Sequence, residues 1–190
     1  MGIFSRAAVA RRLPPGMRRP FDSDERILGW ATVSSDGDGD GDGEGDGDGD
    51  GAAGLVATTR GLWLPGRDER LGWHEIHKAT WDGVRLTIIA ASEVAAGDGY
   101  HVMVDDLPVD YRLRAPGSIP EQVRTRVNRS ISYTSAHALP EGGQVRVVAR
   151  RVSGTDGLRW TVRYADGADP AAAGDATAAL VAAARVGMSA

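Results

Sequence analysis

The chain has 190 residues, enough for one domain with an extension, and its 42% apolar content supports one core. It contains no cysteine, which excludes a disulfide scaffold, a thiolate metal site and a cysteine nucleophile. The formal net charge is −4, but one tract holds eight of the 26 acids; without it, 22 basic residues face 18 acidic ones, and the folded body is mildly basic.

Of the 22 basic residues all but Lys78 are arginine, and the abundance of Ala, Gly, Asp and Val points to a GC-rich, actinobacterial type of genome. The first 20 residues carry five Arg, three Pro and no acid, the composition of a disordered basic tail, assigned to residues 1–21. Neither Arg pair is followed by an apolar segment, so a secretory or twin-arginine signal is not supported. Gly2 invites a myristoylation reading, but Arg6 stands where that motif requires Ser or Thr. No apolar run approaches the roughly 18 residues of a membrane span. The expectation is a cytoplasmic protein without an integral span, with peripheral membrane attachment as the second reading.

A first strand is expected over 26–34. It runs into the tract Asp36 to Gly51, an unbroken alternation of acid and glycine. Glycine maximises backbone entropy and like charges repel, so this is read as a solvated insert loop. Asp36, Asp38, Asp40 and Gly41 match the opening of an EF-hand loop, but the bidentate glutamate and the flanking helices are missing. Strands then follow at 55–59 and 62–64 around the Arg60-Gly61 turn. A longer one is expected over 71–81, then the Asp82-Gly83 hairpin and a strand over 84–90. Shorter strands are expected at 100–104 and 109–114. Ser118 to Glu121 reads as a capping box, opening a helix whose apolar stripe is Val123, Val127 and Ile131. A second hairpin, 145–152 and 158–164, turns at 154–157. Its second strand alternates Leu158, Trp160, Val162 and Tyr164 inward with Arg159, Thr161 and Arg163 outward. A closing helix is expected from Asp169-Pro170 to near Gly187, with Leu180, Val181 and Ala184 as its stripe.

These elements give an α+β fold, and their short strands and hairpin order resemble a pleckstrin-homology-like barrel of the bacterial GRAM type. The residues that carry the resemblance are Val-Ala-Thr-Thr-Arg-Gly-Leu-Trp-Leu at 56–64, Trp-His-Glu-Ile at 73–76 and Asp-Gly-Val-Arg-Leu-Thr-Ile at 82–88. Tyr-Arg-Leu-Arg-Ala-Pro at 111–116, leading into the helix at 121–127, completes it. The resemblance implies a partly open antiparallel β-barrel with a capping helix over 22–134, interrupted by the 36–51 loop. Residues 135–190 then form a basic hairpin-plus-helix extension. An alternative threading makes 145–164 the last two barrel strands and 170–186 the closing helix, with 97–140 inserted. The expected role is a binding or adaptor module with no cofactor, and not an enzyme, because no catalytic constellation stands out in the sequence.

His74-Glu-Ile-His77 is the sharpest cluster. A zincin needs His-Glu-x-x-His on a helix; here the spacing is one residue short and the setting reads as strand, where 74 and 77 face opposite ways. No metal site is assigned. No nucleophile elbow or phosphate-binding loop is present, and acid pairs such as Asp105-Asp106 read as solvated turns. The stronger signal is arginine. Residues 112–164 hold ten Arg against three acids. Arg146 and Arg150 share strand parity, as do Arg159 and Arg163, so one face is expected to present four guanidinium groups suited to phosphate or carboxylate. The expected function is non-enzymatic protein binding, with an anionic phospholipid or nucleic-acid surface as the alternative, through those four residues.

Overall fold

The computed structural model describes residues 13–34, 53–165 and 167–189; the acidic tract assigned to 36–51 and most of the basic tail lie outside them. In chain order the strands are β1 (Ile27–Val33), β2 (Gly54–Thr58), β3 (Gly61–Trp63), β4 (Leu71–Gly72), β5 (Ile76–Trp81) and β6 (Arg85–Gly97). Then come β7 (Tyr100–Asp105), β8 (Val109–Arg114), helix α1 (Ile119–Ser130), β9 (Ile131–Ala138), β10 (Gln144–Arg151), β11 (Leu158–Tyr164) and helix α2 (Gly174–Ser189). The fold is α+β, with eleven mostly antiparallel strands in an open sheet and two helices. No helix among the described residues is long and apolar enough to cross a membrane. The chain divides into two compact units, and β5, β6 and α1 each contribute residues to both.

In the first unit, β1 to β4 pair as antiparallel neighbours, and β8 pairs with both β1 and the Arg85–Ile88 end of β6. The β2–β3 turn is held by Thr58, whose hydroxyl accepts from the Arg60 and Gly61 amides and donates to Glu25. A Cβ at Gly61 would collide with the Leu71 carbonyl oxygen, so the close β3–β4 approach requires glycine. Leu55, Leu62, Leu86, Ile119 and Val123 are fully buried, or nearly so. The described part of the expected tail packs as well: Pro15–Met17 form a 3-10 turn, and Met17 is buried against Val56 and Trp63.

Arginine in this unit is structural. Arg60 pairs with Asp22 and Asp24, and Arg70 pairs with Asp22 and Glu25. The Glu25 carboxylate is fully buried and also accepts from the Trp63 indole at 3.2 Å. Three acids serve two guanidiniums.

In the second unit, the far part of β6 pairs with β7 through the Asp98-Gly99 turn, where Gly99 holds φ 74°. β7 lies parallel to β11, and β11, β10 and β9 are antiparallel. A parallel pair cannot be joined by a tight hairpin, and here the connection from β7 to β11 runs through β8, α1, β9 and β10. Strand parity sorts the faces. Val145, Val147 and Ala149 of β10 and Trp160 and Val162 of β11 bury against Ala173 and Val181. Leu180 and Ala184 are partly buried against the same core.

Several elements differ from the sequence expectation, among them β6, which runs on to Gly97 where a strand over 84–90 is expected. The single strand expected over 71–81 is broken by a turn at 73–75, because β4 pairs with β3 whereas β5 pairs with β6. The first helix ends at Ser130, whose hydroxyl donates to the Val127 carbonyl at 2.7 Å. Its stripe is therefore Ile119, Val123 and Val127, and Ile131 begins β9, a strand absent from the sequence reading. The second helix starts at Gly174, after a turn in which the Asp169 carboxylate accepts from the Ala171 amide.

Candidate anion-binding cleft

The face of β10 and β11 turned away from the apolar core carries the arginines. Register places Arg146 directly opposite Arg163 and Arg150 directly opposite Arg159. The structure thus brings all four sequence-selected residues to one face. Like charges facing across a ladder repel, each pair costing on the order of 0.2–1 kcal/mol, so their counter-charges matter.

Two acids reach this face from β6 and β7. The parallel register Thr161↔His101 sets β7 so that His101, Met103 and Asp105 share the arginine face, and Glu93 of β6 stands opposite Met103. Arg159 donates to Glu93 at 2.8 Å, and His101 Nδ1 lies 3.0 Å from the same carboxylate. Arg163 pairs with Asp105, and His77 Nδ1 lies 2.9 Å from the other Asp105 oxygen. The contact with His101, then Arg159, holds the Glu93 carboxyl below the usual carboxylate range. Burial pushes the His77 imidazole below its usual 6.5, against the opposing pull of Asp105. The neutral ring then donates from Nδ1 to Asp105.

Arg146 and Arg150 have no carboxylate partner among the described residues. Arg146 is exposed. Arg150 is 5% exposed; its Nη1 donates to the Ile76 carbonyl at 3.2 Å and to the Ser130 hydroxyl at 2.9 Å, both neutral acceptors. Its Nε is buried with no partner. Burial first, then the neighbouring Arg163 charge, lowers this guanidinium from its usual value to about 10, so it stays cationic at neutral pH. A buried cation facing only neutral acceptors is costly, and an arriving anion relieves that cost.

These two guanidiniums without a carboxylate line a cleft of ≈ 580 Å³ together with Arg163, His77, Lys78 and Tyr164, with Ile131 and Val148 as an apolar wall. Arg159 is not among the lining residues and stays with Glu93. Against the three arginines and Lys78 the lining carries one carboxylate, Asp105. This is the reverse of the first unit, where acids outnumber the arginines they hold.

Sequence reasoning found Arg146, Arg150 and Arg163 but not the rest. Asp105 reads as a solvated turn in the sequence, yet it takes both Arg163 and His77. His77 enters the sequence reading only as a failed metal ligand. The structure changes that argument too: His74 lies in the turn at 73–75 and His77 in β5, so the two do not belong to one strand. Among the described residues no group of three His, Cys, Asp or Glu is placed to hold a metal ion. Lys78 had no sequence signal beyond being the single lysine. Searches with the whole chain against family models, curated proteins and solved structures give no match.

Proposed function

We propose that this chain is a binding module, not an enzyme, and that it engages an acidic partner protein through the arginine-lined cleft of its second unit. The observation that carries this reading is Arg150: a buried guanidinium with neutral acceptors only and an unpartnered Nε, lining a cleft beside the exposed Arg146. An arginine kept for packing is normally given a carboxylate, as Arg60 and Arg70 are. Guanidinium forks match carboxylate and phosphate oxygens in pairs, which gives directionality as well as charge.

The pleckstrin-homology-like reading of the scaffold belongs to the same proposal. Its support is the antiparallel β1–β2–β3–β4 meander and the apolar stripe on α1. The parallel β7–β11 pair departs from a hairpin-connected barrel. The same charge also suits a phospholipid or nucleic-acid surface, and the test separates these.

The test is binding of a fluorescein-labelled octaglutamate peptide, duplex DNA and anionic phosphatidylserine vesicles, each at about 50 and 200 mM salt. Preference for the peptide, lost when Arg146, Arg150, Arg159 and Arg163 all become Gln, supports the proposal. Tighter, steeply salt-dependent binding of DNA or vesicles moves the assignment to those surfaces. Unchanged binding in the four-site variant refutes any role for this face.

A further inference from the structure

The cleft's charge and size point to a more specific ligand. Resting on the acidic-partner reading, we propose that the group captured is a phosphate monoester on a side chain of the partner, gripped by Arg150 and Arg146.

Charge comes first. Arg146, Arg150, Arg163 and Lys78 line the cleft with Asp105 as the one acid. With His77 neutral, the lining carries a formal excess of three positive charges. One carboxylate leaves most of that excess unmatched, whereas a phosphate monoester brings nearly two negative charges and three acceptor oxygens. Arg150 offers the pre-placed donor: its Nη1 is fixed by Ile76 and Ser130, and its Nε is buried without an acceptor. Arg163 is fixed by Asp105, so its orientation is set before any ligand arrives. Ligand binding then orders Arg146 alone among the three guanidiniums, which limits the entropy lost.

Size comes second. A cleft of ≈ 580 Å³ is far larger than a free phosphate and falls within the range of sites that enclose an organic body. Ile131 and Val148 supply an apolar wall for the carrier of the phosphoryl group beside the charged side chains. A phosphorylated side chain with its adjoining backbone has this mixed character. A bare inorganic anion leaves the wall uncovered.

The experiment is calorimetric titration of the full chain at near-physiological salt with alanine–glycine-flanked peptides. Their central residue is phosphoserine, phosphotyrosine, serine or glutamate; inorganic phosphate is the fifth probe. At least one phosphopeptide is expected to bind about tenfold or more tighter than its serine or glutamate counterpart and than inorganic phosphate. Arg150→Gln and Arg146→Gln are each expected to lose about tenfold, and Arg159→Gln, outside the cleft, less than about threefold. Arg146 is exposed, so its variant tests the proposal even where Arg150→Gln fails to fold. Equal binding of the glutamate peptide overturns the phosphate assignment and leaves the acidic-partner reading standing. Inorganic phosphate binding as tightly as the phosphopeptides overturns the partner side chain as its source. Absence of saturable binding by all five probes, with octaglutamate also unbound, overturns both.

Discussion

Arg146 and Arg163 stand directly opposite each other across β10 and β11, and of the two only Arg163 has a carboxylate, Asp105. The pair sets the electrostatics of the cleft. One guanidinium is neutralised and held in place, and the other stays exposed beside the buried Arg150.

In the proposed anion-binding cleft, Asp105 is expected to act as a brake. Asp105→Asn removes the one carboxylate of the lining and leaves His77 a neutral partner. Anionic peptide affinity is expected to rise about three- to tenfold, with a steeper salt dependence. Stability is expected to fall by about 1 kcal/mol, because the Arg163–Asp105 pair is partly exposed and screened. Fluorescence anisotropy and thermal melts check both; unchanged or weaker affinity in a folded variant contradicts the brake.

The two units predict different costs for losing a charge. Glu25 is fully buried and accepts from Thr58, Trp63 and Arg70. Glu25→Ala is expected to cost about 3 kcal/mol, since it strands buried donors. Arg159→Gln, at a partly exposed pair, is expected to cost less than about 1 kcal/mol. Urea unfolding midpoints of the two variants compare them directly.

Stability also depends on pH through buried imidazoles. Burial lowers both His74 and His77 below 6.5 in the folded chain, so the unfolded state binds more protons as pH falls through that value. Stability is thus present at neutral pH and declines below about 6.5, until the folded-state values are passed. His77→Gln keeps a donor for Asp105 and is expected to flatten part of that decline. Urea unfolding of both proteins between about pH 5 and 7.5 measures it, and identical pH slopes would argue against His77 as a source.

The hairpin of β10 and β11 was legible because β11 alternates strictly and Arg146 and Arg150 of β10 share one parity. Trp160 and Val162 fall inward and Arg159 and Arg163 outward, and local period alone places four arginines together. Nothing local announces Asp105 or Glu93 as their partners. They arrive through the parallel β7–β11 register, a pairing of residues about 60 positions apart, such as Thr161 with His101. β9 escaped detection because Ile131-Ser-Tyr-Thr-Ser-Ala-His-Ala138 mixes small and polar residues on both faces, and Ile131 continues the helical spacing of Val123 and Val127. The break at 73–75 is likewise non-local. It follows from Trp73 committing its indole to the Thr58 carbonyl at 3.1 Å, while β5 joins a different ladder.

The same core makes a plain packing prediction. Val162 is fully buried between Trp160-side neighbours and α2, so Val162→Ala is expected to cost about 2 kcal/mol. Calorimetric melting checks it, and a change under about 0.5 kcal/mol would mean that this core collapses around the gap.

The central claim is that anion capture belongs to the cleft and not to the general arginine excess. The most direct measurement is octaglutamate affinity for Arg146→Gln/Arg150→Gln compared with Arg124→Gln/Arg129→Gln, a double variant that removes the same charge from exposed positions on α1. The cleft variant is expected to bind at least about tenfold more weakly and the helix variant within about twofold of the parent. Equal losses in the two would contradict the claim and leave only diffuse electrostatic attraction.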